Sequence, residues 1–235
     1  MTYNIQKAKV WRRVAAWIFD LLLVTALAVG CGFALSSILG YGSYNDALES
    51  AYNKYETQYG VVFDITQAEY ETMTAAQKET YDAAYDALIA DEDAMQAYSM
   101  LVTLSLVIAA CSILLAMLIW ELFIPMFLGS GQTLGKKLFG LCLVRKDGTP
   151  LTNVQLLSRT LLGKFAIETM IPVYILLMFF WGSVGLIGTV ILFGLPIVQF
   201  LCLRISPSGQ AIHDFLSGTV VTDKASLTFF DSAKK

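Results

Sequence analysis

An aspartate inside an apolar run carries the most chemistry in this sequence. Val14–Leu39 is apolar except for Asp20, and Lys7, Lys9, Arg12 and Arg13 precede it. A carboxylate within a membrane span costs about 2.5–3.5 kcal/mol on insertion scales, so Asp20 must face protein or water and find a partner. Arg13 lies two helical turns earlier, on almost the same face but about 10 Å away along the axis. That gap is too wide for direct contact, so Arg13 and Asp20 are each expected to pair with another part of the chain. Ala16 lies between them on that face and leaves room for a neighbouring segment.

Other charges belong to the same argument. Glu121 stands near the inner end of a second apolar stretch, and Glu168 stands early in a third. Arg159 and Lys164 lead into that third stretch, and Asp214 follows the last one. Arg13, Asp20, Asp214, Arg159, Glu121 and Glu168 therefore form a candidate functional layer near the inner leaflet. Such a layer either locks helix register through ion pairs or relays protons or cations along its carboxylates. Burial raises the pKa of an acid and a neighbouring arginine lowers it, so the sequence leaves both uses open.

Competing chemistries lack their residues. The single histidine removes any site that needs two imidazoles, such as most catalytic zinc centres. Cys31, Cys111, Cys142 and Cys202 are scattered without a CxxC pair and read as small buried hydrophobes. Gly131–Lys137 is glycine-rich and basic, but only three residues separate its glycines and Lys137 stands where a phosphate loop needs Ser or Thr. Its Lys136 and Lys137 are expected at anionic headgroups, at about 1 kcal/mol each. His213-Asp214 is adjacent to no nucleophile motif, and neighbouring helical residues point about 100° apart. It reads as part of a surface helix with one ion-paired aspartate. We expect no enzyme, no metal, no cofactor and no nucleic-acid partner.

The elements that must position these charges follow from composition. The chain has 235 residues, 56% hydrophobic and 15% charged, against about 25% charged for a soluble domain. The lipid bilayer is its first partner. Residues 41–99 hold two basic and twelve acidic residues, a net of −10, while the rest of the chain nets +7. Lys and Arg beside spans tend to remain cytoplasmic. Four spans put every basic residue outside 41–99 on one side, whereas three would strand Arg204 and Lys224 outside. Residues 165–203 are too long for one span and read as two, folded at Trp181–Gly188 with Gly182, Gly185 and Gly188 at three-residue intervals. Ala28-Val-Gly-Cys31 loosely resembles a lipoprotein processing site, but Asp20 and the later spans argue against cleavage.

The expected architecture is an all-α integral membrane protein of the cell membrane, multi-pass, with both termini cytoplasmic. It has four transmembrane helices, a helical acidic extracytoplasmic insertion and a small cytoplasmic β-hairpin. Its order is 1–40 (N-terminus and first helix), 41–99 (insertion), 100–127 (second helix), 128–164 (basic loop), 165–203 (third and fourth helices) and 204–235 (tail). Within the insertion, Tyr52, Tyr55 and Tyr59 share a helical spacing with Tyr81, Tyr85 and Leu88. Thr66–Glu69 and Thr74–Gln77 have capping-box form. Asp91-Glu-Asp93 lacks a calcium-loop pattern and reads as a helix junction. Leu141–Arg145 is a strand followed by an Asp147-Gly148 turn, and Gly218–Thr222 is a second β-branched run.

Three segments together resemble the RDD family of integral membrane proteins, named for one arginine and two aspartates. Arg13-Val-Ala-Ala-Trp-Ile-Phe-Asp20 looks like its first element. Gly131–Gly140, Val144–Gly148 and Leu157-Ser-Arg159 are similar to its middle segment. Ile212-His-Asp214-Phe-Leu-Ser-Gly-Thr219 looks like its closing one, which makes Asp214 the second aspartate. The resemblance covers 8–40 and 100–223; Glu121 and Glu168 fall outside its pattern, as does the acidic block. It implies transport, including sodium/proton exchange, or a non-catalytic companionship with membrane proteases or quality-control complexes. The two readings are an ion or small-solute transporter using intramembrane carboxylates, assembled as a homo-oligomer, and an adaptor that binds another membrane protein through its acidic hairpin or basic face.

Overall fold

The computed structural model of the chain describes residues 8–128, 131–180 and 185–225. Four of its helical stretches are long and apolar enough to cross a membrane: Val10–Ile38, Glu92–Leu128, Asn153–Met178 and Leu186–Ile205. The first is α1 (Val10–Ile38) and the last α10 (Leu186–Ile205). The second is built from α5 (Glu92–Met117), a π-helical segment Leu118–Phe123 and α6 (Ile124–Leu128). The third runs from α8 (Asn153–Ser158) through a π-helical segment Arg159–Met170 into α9 (Ile171–Phe180). Arg159 and Lys164 thus lie inside this helix rather than ahead of it. Trp181 and Gly182 lie outside the described residues, while Gly185 precedes the first turn of α10.

These helices present apolar side chains outward along most of their length. α10 buries no residue, and α1 buries only Ala16 and Asp20. An apolar all-round helix is stable in hydrocarbon because its backbone bonds are satisfied internally. Burial is instead concentrated where charged residues occur.

Two units divide the chain, one of residues 1–31 and 112–235, the other of residues 32–111. The first contains α7 (Leu134–Leu138), β1 (Leu141–Arg145), α11 (Ile212–Ser217) and β2 (Thr219–Asp223). β1 and β2 pair antiparallel, Leu141 opposite Asp223 and Arg145 opposite Thr219. The small sheet is present, but it is not a local hairpin: its strands are joined through the third and fourth long helices. The Asp147-Gly148 turn forms, with the Arg145 N–H donating to the Thr149 carbonyl at 3.0 Å, yet it leads away from the sheet toward α8. Leu141, Leu143 and Val221 pack with Ala16, Leu122 and Leu156 in the unit's apolar core.

Residues 32–111 contain α2 (Tyr41–Tyr59), α3 (Gln67–Thr72) and α4 (Ala75–Ala90). Both expected capping boxes form, at Thr66 and Thr74. Gly60 ends α2 in the left-handed conformation, φ 69°, which glycine adopts without a Cβ penalty. Tyr55, Leu88 and Ala94 are buried together, and Phe63 meets Tyr52, Tyr81 and Tyr85 edge to face at 5.6–6.3 Å. Asp91 does mark a helix junction. Its Oδ1 accepts from the Asp93 and Ala94 N–H groups, and its Oδ2 accepts from Tyr55 and Lys54. The Ala94 N–H, followed by Lys54 and Tyr55, holds this carboxyl down at about 2.

Of the four cysteines only Cys142 is buried, and Cys111 is exposed on its helix. The expectation that all four are buried therefore fails for three. In a lipid-facing helix a small sulfur side chain needs no protein cover.

Candidate functional site

Asp20 is 4% exposed and meets three donors, none of them charged. Its Oδ1 accepts from the Trp120 indole N–H and the Gly135 N–H, both at 2.9 Å, and its Oδ2 accepts from the Thr133 hydroxyl at 2.5 Å. Thr133 caps α7, its hydroxyl also accepting from the Lys136 N–H. The carboxylate therefore grips the first turn of a five-residue helix and fixes it to α1. A Cβ on Gly135 would stand 2.5 Å from the Ala16 carbonyl and 2.7 Å from the Asp20 carboxyl carbon. Only glycine permits that approach, and the small Ala16 supplies the other half of the space.

Arg13 turns elsewhere, as the spacing argument requires. One of its guanidinium nitrogens donates to Asp214 Oδ2 at 2.7 Å and the other to the Gly209 carbonyl. Asp214 is fully buried, and its Oδ1 accepts from Arg159 Nε at 3.0 Å. Arg159 is 1% exposed and reaches Glu121, Nη1 to Oε2, at 3.7 Å. Glu121 in turn contacts Lys136 at 3.5 Å and pairs with Lys164 through its other oxygen. The result is a file of ion pairs, Arg13–Asp214–Arg159–Glu121, that forks to Lys136 and Lys164; its Arg159–Glu121 step is a charge contact only, since Arg159 Nη1 and Glu121 Oε2 have no hydrogen-bond partner among the described residues.

A branch leaves at Asp214. His213 Nε2 stands 3.4 Å from Asp214 Oδ1, and its Nδ1 lies 2.7 and 2.8 Å from the two oxygens of Glu168. The two neighbours thus come within ion-pair distance in spite of their angular separation. Gln199 of α10 donates to Glu168 at 3.0 Å and accepts from the Ile212 N–H. Gly163 makes the branch possible, since a Cβ there would sit 2.5 Å from the His213 Cβ.

All six charges expected in one layer are buried or half-buried on these contacts, but they form two systems. Arg13, Asp214, Arg159, Glu121 and Glu168 belong to the file and its branch. Asp20 makes no ion pair with any of them and is held by neutral donors instead. The start of the first long helix, the end of the second, the start of the third and, through Gln199, the end of the fourth meet here, as four alternating spans require.

Lys136 corrects the sequence reading. It is 7% exposed and paired with Glu121, so it does not reach headgroups, whereas Lys137 is exposed. The capped start of α7, pinned by Asp20, turns Lys136 inward. Burial, with Lys164 and Arg159 adding to it and Glu121 and Asp20 opposing, pushes its ammonium down to about 7. Burial and then Arg159 lower the His213 imidazole below its usual value, against Asp214 and Glu168. Burial alone would raise Asp214, but His213 once protonated, Arg159, Arg13 and the Ala211 N–H hold its carboxyl well below the usual range.

Four acids (Asp20, Glu121, Glu168, Asp214) face Arg13, Arg159, Lys164 and Lys136, so the formal charges balance when Lys136 is protonated and His213 neutral, which limits the cost of burying the group. Both π-helical segments contribute, one carrying Glu121 and the other Arg159, Lys164 and Glu168. Wide turns leave backbone groups without their helical partners; Thr160 supplies one, its hydroxyl donating to the Glu121 carbonyl at 3.2 Å. Lys136, His213, Thr133, Trp120 and Gln199 were not legible as members of the site. No local pattern marks them, because each joins through a contact distant in the chain. Among the described residues no group of three His, Cys, Asp or Glu side chains is placed to hold a metal ion.

Comparison with known proteins adds one finding. The family model of the RDD family matches residues 7–218. No curated protein and no solved structure matches the chain.

Proposed function

This chain belongs to the RDD family, and from that premise we propose that it moves an ion or small solute across the cell membrane, exchanging protons at the titrating group of its buried charge layer. The observation that carries this reading is the buried pairing of Lys136 with Glu121, at 3.5 Å, where the file forks. Arg13, Asp214, Arg159 and Glu121 follow one another within 3.7 Å, with branches to Lys136 and His213. Of those two branch groups Lys136 changes charge near neutrality, its ammonium pushed down to about 7, while burial lowers the His213 imidazole below its ordinary value. A relay needs members that accept and release a proton at working pH, and a lattice of permanently charged groups would not supply them.

In this reading both termini and the charged file lie on the cytoplasmic side, where basic residues tend to be retained. Four spans enclose little volume, so copies of the chain assemble to form the path. The protein is a carrier and catalyses no covalent change.

The test is flux. Full-length protein in sealed liposomes with an entrapped pH dye should acidify or alkalinise the lumen when a sodium or potassium gradient is imposed. Lys136→Met should abolish that response while folding normally. The thioether chain fills the buried space of the lysine stem, and Glu121 keeps Lys164 and Arg159 as partners. No dye response in the parent protein under either gradient, or full flux in the variant, would sink the transport reading.

A second reading has its own observation. Residues 32–111 contain a groove of about 550 Å³ lined by Glu49, Glu56, Asp64, Tyr52 and Phe63. An acidic, aromatic groove suits a basic segment of another membrane protein, and the chain would then act as an adaptor. Glu49→Gln with Asp64→Asn should then release a co-purifying partner and leave any flux untouched.

A further inference from the structure

Two cations beside the buried file, Lys9 and Arg204, are not used by it. Lys9, Trp11 and Arg13 at the start of α1 and Leu203, Arg204 and Gly209 at the end of α10 line a cleft of about 430 Å³. Among the described residues no carboxylate lines it. Arg13 is already committed to Asp214 and the Gly209 carbonyl. Lys9 and Arg204 are exposed and have no ion-pair partner among the described residues. The cleft therefore holds uncompensated positive charge.

Its position selects the anion. Both lining segments are ends of helices long and apolar enough to span a membrane, so the cleft opens where hydrocarbon gives way to headgroups. Trp11 is 64% exposed at that boundary, where indole rings favour the interface. Leu203 and the ring offer an apolar wall next to the two cations. A free phosphate would use the charges and leave the wall unused, whereas a phospholipid uses both. Guanidinium and ammonium groups bind phosphate oxygens through charge-assisted hydrogen bonds.

We propose that this cleft is a binding site for one anionic phospholipid, its phosphate held between Lys9 and Arg204 and the start of an acyl chain along Trp11 and Leu203. The site joins the first helix of the chain to the last, so an occupied cleft ties together the two helices that bury the least protein surface. The proposal stands whether the protein is a carrier or an adaptor.

Native mass spectrometry of the full-length protein in detergent tests it, with phosphatidylglycerol, phosphatidylcholine and inorganic phosphate as separate probes. The expected result is one retained phosphatidylglycerol per chain, no retained phosphatidylcholine, and no displacement by millimolar phosphate. Lys9→Gln with Arg204→Gln should weaken phosphatidylglycerol retention roughly thirtyfold, since each cation contributes about a factor of five at an anionic surface. Lys9→Arg with Arg204→Lys should retain it. Lys137→Gln with Lys224→Gln makes the same charge change at exposed positions away from the cleft and should leave retention unchanged. Equal retention of both lipids, displacement by phosphate, an unaffected cleft variant, or equal loss in the Lys137/Lys224 variant would each overturn the proposal. Both affected side chains are exposed, and unchanged elution on size exclusion confirms that the variants fold.

Discussion

The two units of the chain handle charge in opposite ways. In residues 1–31 and 112–235 the acids are few and most of the described ones are buried or half-buried and shared, so that Asp214 alone accepts from Arg13, Arg159 and the Ala211 N–H. In residues 32–111 acids are abundant and mostly exposed, and cohesion comes from tyrosine and phenylalanine rings meeting edge to face. Water screens and solvates the second set, whereas the first has only its partners. The lesson is that acid content and acid importance run in opposite directions here. The −10 segment can lose a carboxylate cheaply, and the acid-poor unit cannot.

Mutation should expose that contrast in graded steps. Replacing Arg159 by Met leaves Asp214 and Glu121 buried with fewer partners, which costs about 3–5 kcal/mol for a buried pair broken on one side. The expected readout is loss of the monodisperse peak after heating in detergent, at a temperature well below that of the parent. Survival of Arg159→Met at the parent's melting temperature would break the comparison outright.

Gly163→Ala should come next. The added methyl meets the His213 backbone, and overpacking of this kind costs about 1–3 kcal/mol. It should also pull His213 from Glu168, visible as a changed imidazole titration by NMR of the single histidine.

In the acidic unit the largest single effect should be smaller and should come from backbone chemistry. Thr74→Ala removes one half of a capping box and should cost about 1 kcal/mol, read as reduced helicity of α4 or faster amide exchange in its first turn. Lys54→Gln removes an ion pair to Asp91 that is exposed on the lysine side, and no change in thermal stability should be measurable. A large loss in Lys54→Gln would mean that exposed charge matters here as much as buried charge.

A pH measurement sharpens the same contrast at the functional level. As pH rises through about 7, Lys136 gives up its proton and Glu121 keeps Lys164 and Arg159 as its cationic neighbours. Flux should therefore change most steeply around neutrality. Lys136→Arg, which stays protonated throughout, should flatten that step. Acids of the exposed unit should leave the profile where it is.

Part of this architecture was legible from local pattern. Long apolar runs marked the four membrane-length helices, threonine three residues ahead of Glu or Gln marked the caps, and an apolar run before an Asp-Gly turn and a β-branched run marked the two strands. The spacing of Arg13 and Asp20 also showed, correctly, that they do not meet. Other features were hidden. Lys136 looked like a headgroup contact because nothing nearby shows that Asp20 draws Thr133 and Gly135 inward. His213 looked inert because its partner, Glu168, is on another helix. The π-helical segments around Glu121 and Arg159 have no signature in hydropathy at all.

The division has a physical cause. Partition into hydrocarbon, helix capping and strand propensity are sums over neighbouring residues, so the order of amino acids determines them directly. Ion-pair partners, the room a glycine leaves and the proton affinity of a buried amine depend on distances between groups far apart in the chain. Helix length, span number and the tally of available charges were thus set by sequence. Which acid meets which base, and which of them titrates near neutrality, was decided only when the helices came together and excluded water.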